Sequence, residues 1–371
     1  MGNLRDSAEP KIVKYLNFKA AKERIPLNIT FELTSRCNFA CSMCYIHNAD
    51  CQKNAREELT AAQWISIARS AKEAGTVFVL ITGGEPLIRR DFAEIYEAIA
   101  QMGFIISLNT NLSLLNDETL GLFTRFPPHR VNVSLYGTGD ELYSSFCGVP
   151  AFTKIKENIL KMRERSIPVK INSSITRLNV HDLENMMEFC DEHGVAFKAT
   201  GYMFPSARLG MHPERLGPRE TAAVKAAIDR HFLCEEDFAE RTRRINAGIA
   251  AGDDNDCPVE DSEYGRIRCR AGSSSAWIDW RGNMSFCGMI PAREGNNVIG
   301  RSFEECWKSV SEEARNVRMP EKCTGCSYRH ICILCAASQY CETGGYDEPP
   351  EFICAIAKSI PGEYNKYSTA K

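Results

Sequence analysis

The sequence predicts an α/β protein, a parallel sheet with helices outside it, followed by a small cysteine-rich domain. Three observations carry this. Six apolar, β-prone runs alternate with helical patterns between residues 28 and 205, and strands separated by helices argue a parallel sheet rather than hairpins. The runs recur about every 25–35 residues, enough for one crossover helix each. After Cys257 the alternation stops and cysteine density rises. That pattern points to a domain organised by metal rather than by a large apolar core.

The elements follow in order. With 371 residues the chain is too long for one ordinary core. Residues 1–27 read as an N-terminal extension with a short helix over 10–22. The strands are placed at 28–34, 77–82, 105–110, 131–136, 169–175 and 196–202. Helices are placed at 60–74, 90–102, 117–126, 152–165 and 180–194. Thr60 with Gln63 three residues on makes a capping box at the first of these. Residues 206–256 read as a helical linker, with one long polar helix over 219–251 and an acidic, glycine-containing loop at 251–256. The last domain spans 257–371. Within it, runs 276–279 and 284–287 flank Trp280-Arg281-Gly282-Asn283, a hairpin turn.

Composition excludes several classes. The formal charge of −3 and pI near 6.2 leave no basic footprint for nucleic acid or an acidic membrane. No apolar run is long enough to span a bilayer. The N-terminus is polar, unlike a signal or transit peptide, and Asp6 stands where a myristoylation signal has Ser or Thr. The 17 cysteines are grouped at C-x2-C and C-x3-C spacings. In a reducing compartment that grouping means metal or catalysis. The expectation is a cytoplasmic protein that works without oxygen.

Three constellations carry chemistry. Cys37-x3-Cys41-x2-Cys44 follows the first strand. Three thiolates are an odd number for a closed zinc site. They suit a [4Fe–4S] cluster with one iron left open. Gly83-Gly84-Glu85-Pro86 follows the second strand, where a carboxylate can receive an ammonium group and glycines let a ligand approach; a tight strand-to-helix turn explains the same residues. Asn109-Thr110-Asn111 and Ser134 with Tyr136-Gly137 close the third and fourth strands. Their hydroxyl and amide groups suit a ribose or carboxylate, or ordinary turns.

The first two constellations together resemble the radical S-adenosylmethionine superfamily over roughly residues 28–205. The resemblance implies a partial (β/α)6 TIM-like barrel. It implies that Cys37, Cys41 and Cys44 bind three irons and that S-adenosyl-L-methionine chelates the fourth. Gly83, Gly84 and Glu85 would meet the methionine amino group, Tyr45 would lie near the adenine, and Asn111 and Ser134 would contact the cofactor. The family's chemistry is one-electron cleavage of the sulfonium to a 5′-deoxyadenosyl radical, which takes hydrogen from a carbon held close by.

The C-terminal cysteines resemble the SPASM domain, which carries two auxiliary [4Fe–4S] clusters in radical enzymes that modify peptides. The carrying residues are Cys269, Gly282, Cys287, the run Cys323-x2-Cys326-x5-Cys332-x2-Cys335, and Cys354. The family's central run has three residues between its last pair, where this chain has two. By the family's interleaved ligation, Cys269, Cys287 and Cys335 hold the first auxiliary cluster, with Cys257 a candidate fourth ligand. Cys323, Cys326, Cys332 and Cys354 hold the second, with Cys354 preferred over Cys341. Paired C-x2-C motifs also read as zinc sites. Cys51, Cys147, Cys190, Cys234, Cys306 and Cys341 remain, and most read as buried small apolar residues. Arg208 after the sixth strand reads as a substrate contact or a solvated loop, and Arg241, Arg243 and Arg244 as a solvated face.

The leading expectation is a maturase of a ribosomally made peptide, giving a crosslink, thioether, epimerised or oxidised residue, with an oxidoreductase's electron outlet in the auxiliary clusters. Its partners would be a peptide substrate and a reductant such as flavodoxin or ferredoxin. The second expectation is small-molecule chemistry, such as haem or other cofactor biosynthesis. The third is a non-catalytic iron–sulfur or zinc protein. Sulfatase-maturating relatives commonly have an Asp base after the second hairpin cysteine; here Gly288 follows Cys287.

Overall fold

The computed structural model describes residues 10–44, 57–205, 214–248 and 269–368. Tyr45, Cys51, Arg208 and Cys257 lie outside the described residues.

Helix α1 (Lys11–Glu23) leads into β1 (Asn28–Glu32). Then come α2 (Ala61–Glu73), β2 (Phe78–Thr82), α3 (Phe92–Gln101), β3 (Ile105–Thr110), α4 (Asp117–Arg125) and β4 (Arg130–Ser134). Helices α5 (Asp140–Cys147) and α6 (Phe152–Glu164) precede β5 (Val169–Ser174), α7 (Leu183–His193) and β6 (Ala196–Thr200). Thr60 caps α2 with Gln63 in the expected reciprocal box. Helix α5 was not legible in the sequence. It is short, its N-cap Gly139 offers no side chain, and it ends at Gly148 with φ 77°, so neither end carries a strong signal.

The strands pair in parallel in the order β6-β5-β4-β3-β2-β1. Neighbours in sequence are neighbours in the sheet, so right-handed crossovers put every helix on one side. The sheet is the six-stranded parallel one of a partial TIM barrel. Residue parity separates its two faces. Ile29, Phe31, Val79, Ile81, Ile106, Leu108, Val131, Val133 and Ile171 are buried towards the helices, and the Phe31 ring meets Trp64 of α2 at 5.3 Å. The other face is polar. The strand register aligns Ser107 with Arg130, Asn109 with Asn132, Asn132 with Lys170, and Asn172 with Lys198. Asn132 donates to Asn109 across the strands at 2.8 Å.

The cysteine-rich region joins this sheet. Strand β7 (Ser275–Ile278) pairs in parallel with β1, and β8 (Met284–Ser285) returns antiparallel to β7. The predicted hairpin is therefore an extension of the barrel sheet. Helices α10 (Phe303–Asn316), α11 (Glu321–Thr324), α12 (Ala336–Thr343) and α13 (Glu351–Ser368) follow.

The single long helix expected over 219–251 is two: α8 (Pro218–Phe232) and α9 (Glu235–Asn246). Leu233 and Cys234 between them are extended, with ψ of 143° and 164°. The Cys234 sulfur caps α9 by accepting from the Asp237 N–H at 3.4 Å. Cys234 is exposed, a capping residue rather than a buried one. The break folds α9 back so that Phe238 stacks on Tyr364 of α13, centroids 5.5 Å apart. Arg241 reaches the buried Asp229 of α8 at 2.7 Å. Arg241 is thus a cross-helix partner and not part of a solvated face, whereas the Arg243 side chain is 72% exposed. No helix among the described residues is long and apolar enough to cross a membrane.

Candidate functional site

Cys37, Cys41 and Cys44 stand on the loop beyond the C-terminal end of β1, half-buried. The loop is pinned from beneath. The Arg36 Nε and Nη2 groups donate to the two oxygens of Glu58, each at 2.9 Å, and the Thr34 hydroxyl donates to the same carboxylate. Arg89, buried, lies 3.7 Å from Glu58, pairs with Asp91 at 2.7 Å and donates to the Leu33 and Leu59 carbonyls. A bidentate guanidinium–carboxylate pair fixes orientation as well as distance. None of these five side chains bears a cysteine-like motif, so spacing alone did not reveal them.

The Gly-Gly-Glu turn packs directly on that loop. The Gly84 N–H donates to the Thr34 carbonyl at 2.8 Å and the Glu85 N–H to the Arg36 carbonyl at 2.8 Å. A Cβ on Gly84 would stand 2.3 Å from the Arg36 oxygen, and one on Gly83, at φ +154°, would stand 2.6 Å from the Thr34 oxygen. The glycines are needed so that two backbones can touch.

Glu85 is bound into the protein itself. Its carboxylate is fully buried and accepts from Leu87 N at 3.0 Å, Thr110 Oγ1 at 2.8 Å and Asn111 N at 2.7 Å. It ties the end of β2 to the end of β3. Burial pushes this carboxyl up to about 7, against the three hydrogen bonds that pull it down.

Asn111 is thereby aimed at the cysteine loop. Its Nδ2 donates to Asn38 Oδ1 at 2.9 Å and lies 3.8 Å from the Cys37 sulfur. Asn38 in turn donates to Ser113 at 2.8 Å. Ser134 closes β4 on the polar face, hydrogen-bonded to the Tyr136 phenol, and its carbonyl accepts from Tyr143. The Tyr136 ring stacks on Phe146 at 4.8 Å. Cys147 is buried, as expected, but it also hydrogen-bonds Cys41 through sulfur, which with burial holds the Cys41 thiol well above its ordinary range. The end of α5 is stitched to the loop by Ala40 N to Cys147 O at 2.9 Å and Ser42 N to Phe146 O at 3.1 Å.

The C-terminal cysteines form two sets. Cys323, Cys326, Cys332 and Cys354 line one cavity of about 520 Å³, which Cys335 also borders, and the charges of the first four act on one another. Cys354 rather than Cys341 is the partner of the central run there. The other set lies where the hairpin meets α12, around Cys287, whose thiol burial pushes up to about 12, with Cys269, Cys335 and Cys341 adding to the rise. Cys335 stands between the two, bordering the cavity of the first set and acting by charge on Cys287 of the second. Cys190 and Cys306 are buried.

Backbone N–H groups point at several of the sulfurs, although burial outweighs them and holds the Cys37 and Cys287 thiols up to about 12 and the Cys332 thiol to about 11. Cys37 accepts from Phe39 N and Cys269 from Ala271 N, both at 3.4 Å. Cys287 and Cys332 likewise accept from the N–H two residues on. Iron binding would deprotonate these thiols, and N–H groups so placed would then bond to the ligating sulfurs and tune a cluster. The donor set therefore fits iron–sulfur clusters at all three places.

The hairpin also explains Gly288. A Cβ there would stand 2.6 Å from the Trp277 ring. The indole N–H donates to the buried Glu32 at 2.7 Å across the β7–β1 pair. The space in which a carboxylate base would sit is filled by an indole.

Such a thiol loop on the rim of a partial parallel barrel defines a radical-generating iron–sulfur enzyme. Residues 31–190 match the model of the Radical SAM superfamily, and the chain belongs to that superfamily. Its cofactors are a [4Fe–4S] cluster and S-adenosylmethionine, and the cysteine-rich C-terminal region fits auxiliary clusters. An "AdoMet-dependent heme synthase" of Methanosarcina barkeri is 26% identical over 340 residues, 88% of this chain and 96% of that one. A "Probable GTP 3',8-cyclase" of Thermococcus kodakarensis is 32% identical over 208 residues, 54% of this chain and 67% of that one. Streptococcus suis SuiB bound to precursor peptide SuiA superposes with a TM-score of 0.67 at 18% identity, over 95% of this chain and 83% of that one. That last likeness speaks to fold.

Proposed function

We propose that this enzyme acts on a small anionic molecule, a carboxylate-bearing tetrapyrrole in haem formation, rather than on a peptide. The observation that carries this is the span of the haem synthase likeness, which runs through both the barrel and the cysteine-rich region. Two features of the chain support it. The polar face of the sheet carries Arg130 in register with Ser107, and Lys170 and Lys198 in register with asparagines, a surface suited to carboxylates. The position of the sulfatase-maturating enzymes' base is Gly288, against Trp277. The reading keeps residues 28–205 as the radical-generating barrel and 257–371 as the auxiliary-cluster domain, joined through 206–256.

The roles follow from the geometry. Cys37, Cys41 and Cys44 hold the catalytic cluster. When bound, that cluster and S-adenosylmethionine supply a 5′-deoxyadenosyl radical, the hydrogen-abstracting agent. Arg36, Glu58 and Arg89 hold the loop in place. Glu85 locks β2 to β3, and Asn111 offers an N–H to the Cys37 sulfur. Gly83 and Gly84 set the backbone of the turn where the methionine end of the cofactor would lie, and Ser134 with Tyr136 lines the same rim. Auxiliary clusters held by the C-terminal cysteines would supply an acceptor for the electron that a substrate radical sheds on oxidation.

The test is an anaerobic assay with reductant, S-adenosylmethionine and a panel of iron porphyrins bearing two or four carboxylates, beside short peptides. A porphyrin should raise 5′-deoxyadenosine release above the substrate-free level and lose mass. Stimulation by peptide alone, with every porphyrin inert, would sink the proposal and restore the maturase reading.

A further inference from the structure

We infer that Cys341 is the fourth ligand of the first auxiliary cluster, completing a closed set with Cys269, Cys287 and Cys335. The inference rests on the cluster assignment and not on the identity of the substrate.

The geometry begins with α12. Cys335 stands at its N-cap, where its sulfur accepts from Ser338 N at 3.3 Å. This fixes where the helix starts relative to the cysteine. The rotation of the helix is fixed at its other end. Glu342 is held by Tyr202 at 2.9 Å and by Arg215, whose guanidinium also stacks 3.5 Å over the Phe352 ring. Buried Gln339 donates to the Tyr346 carbonyl. Glu342 thus points towards the segment after β6. Cys341, about 100° round the helix from it, points the other way, towards the hairpin loop. There its sulfur lies 3.7 Å from the carbonyl of Met289, two residues beyond Cys287. Met289 N–H in turn serves the Cys287 sulfur. One short loop therefore binds both cysteines from its two polar groups.

The neighbourhood agrees. Cys269, Cys335 and Cys341 all act on Cys287 through charge, and Cys335 acts on Cys341. Three of the four come from the hairpin and the N-cap, as the family's pattern implies. The fourth comes from within α12, a position that spacing did not favour. Four thiolates leave no iron open, so this cluster has no vacant place for a substrate sulfur or carboxylate. It would be an electron relay only.

The test counts iron, independently of activity. In full-length protein carrying Cys37→Ala, Cys41→Ala and Cys44→Ala, two clusters remain, about eight irons per chain. Adding Cys341→Ala should lower this to about four, or leave a cluster whose paramagnetic resonance shifts when cyanide is added. Adding Cys257→Ala instead should leave about eight irons and an unaltered spectrum. The cluster of Cys323, Cys326, Cys332 and Cys354 reports that each variant has folded. Cys341→Ser should retain iron through oxygen with a shifted spectrum. An unaltered spectrum at full iron content in Cys341→Ala, or loss or alteration of a cluster in Cys257→Ala, overturns the assignment.

Discussion

Glu58→Ala is the most informative single change beneath the catalytic loop. Its carboxylate accepts two bonds from Arg36 at 2.9 Å and is itself 5% exposed. Arg89 does not become stranded on its removal, because Asp91 stays at 2.7 Å and two carbonyls remain. What is lost is the Arg36 fork, together with the acceptor of the Thr34 hydroxyl. Each bond to a charged group contributes about 1.5–3 kcal/mol. Arg36 is 22% exposed, so water recovers part of that. The net cost is about 2–4 kcal/mol. For 371 residues, with unfolding entropy of about 2.1 cal/mol/K per residue, the melting temperature should fall by about 3–5 °C. Glu58→Gln should lose roughly half as much, since one acceptor remains. The assay is an anaerobic melt alongside the rate at which a chelator removes iron from the three-cysteine site. Chelation should quicken there and not at the auxiliary sets. A melt within 1 °C of wild type and unchanged chelation would refute the view that this pair pins the loop.

Other outcomes follow from the same geometry. Gly84→Ala puts a methyl 2.3 Å from the Arg36 carbonyl; the loop must move, and S-adenosylmethionine cleavage should fall at least about 100-fold while auxiliary iron is retained. Asn111→Ala removes the N–H at 3.8 Å from the Cys37 sulfur, and the midpoint potential of that cluster should drop by a few tens of millivolts, about 20–60, in a redox titration. Glu85 has a folded pKa of about 7 against 4.5, so its contribution to stability is full below about pH 4.5 and is lost as pH rises through 7. That window is worth about 3 kcal/mol. Glu85→Gln should flatten the slope between pH 5 and 7 in denaturant titrations of the apoprotein, and an unchanged slope would count against the burial account.

The sheet was legible because its signals were local and repeated. Alternating runs of β-prone and helical pattern located all six strands, and Thr60 with Gln63 marked a helix start within one residue. What failed depended on tertiary partners. The fold-back at Leu233 and Cys234 is made by packing of Phe238 on Tyr364, residues more than a hundred apart. The β7–β1 pairing joins segments equally distant. In the site, cysteine spacing located ten of the ligand candidates that the structure describes. It could not place Cys341, because helix rotation, set by Glu342 and Arg215, decides where that thiol points. Glu85 reads as a ligand group because a carboxylate at a strand end usually is accessible; here Thr110 and Asn111 bind it. Arg36, Glu58 and Arg89 carried no pattern at all.

The central claim is that the radical formed beside Cys37, Cys41 and Cys44 takes hydrogen from a tetrapyrrole. The direct measurement is transfer of deuterium from a side-chain-deuterated iron porphyrin into 5′-deoxyadenosine, by mass spectrometry of single turnovers. The account predicts a 5′-deoxyadenosine heavier by one mass unit with wild type, and none formed when the three cysteines are alanine. Abundant 5′-deoxyadenosine that stays unlabelled with every porphyrin, yet acquires label from a deuterated peptide, would contradict it.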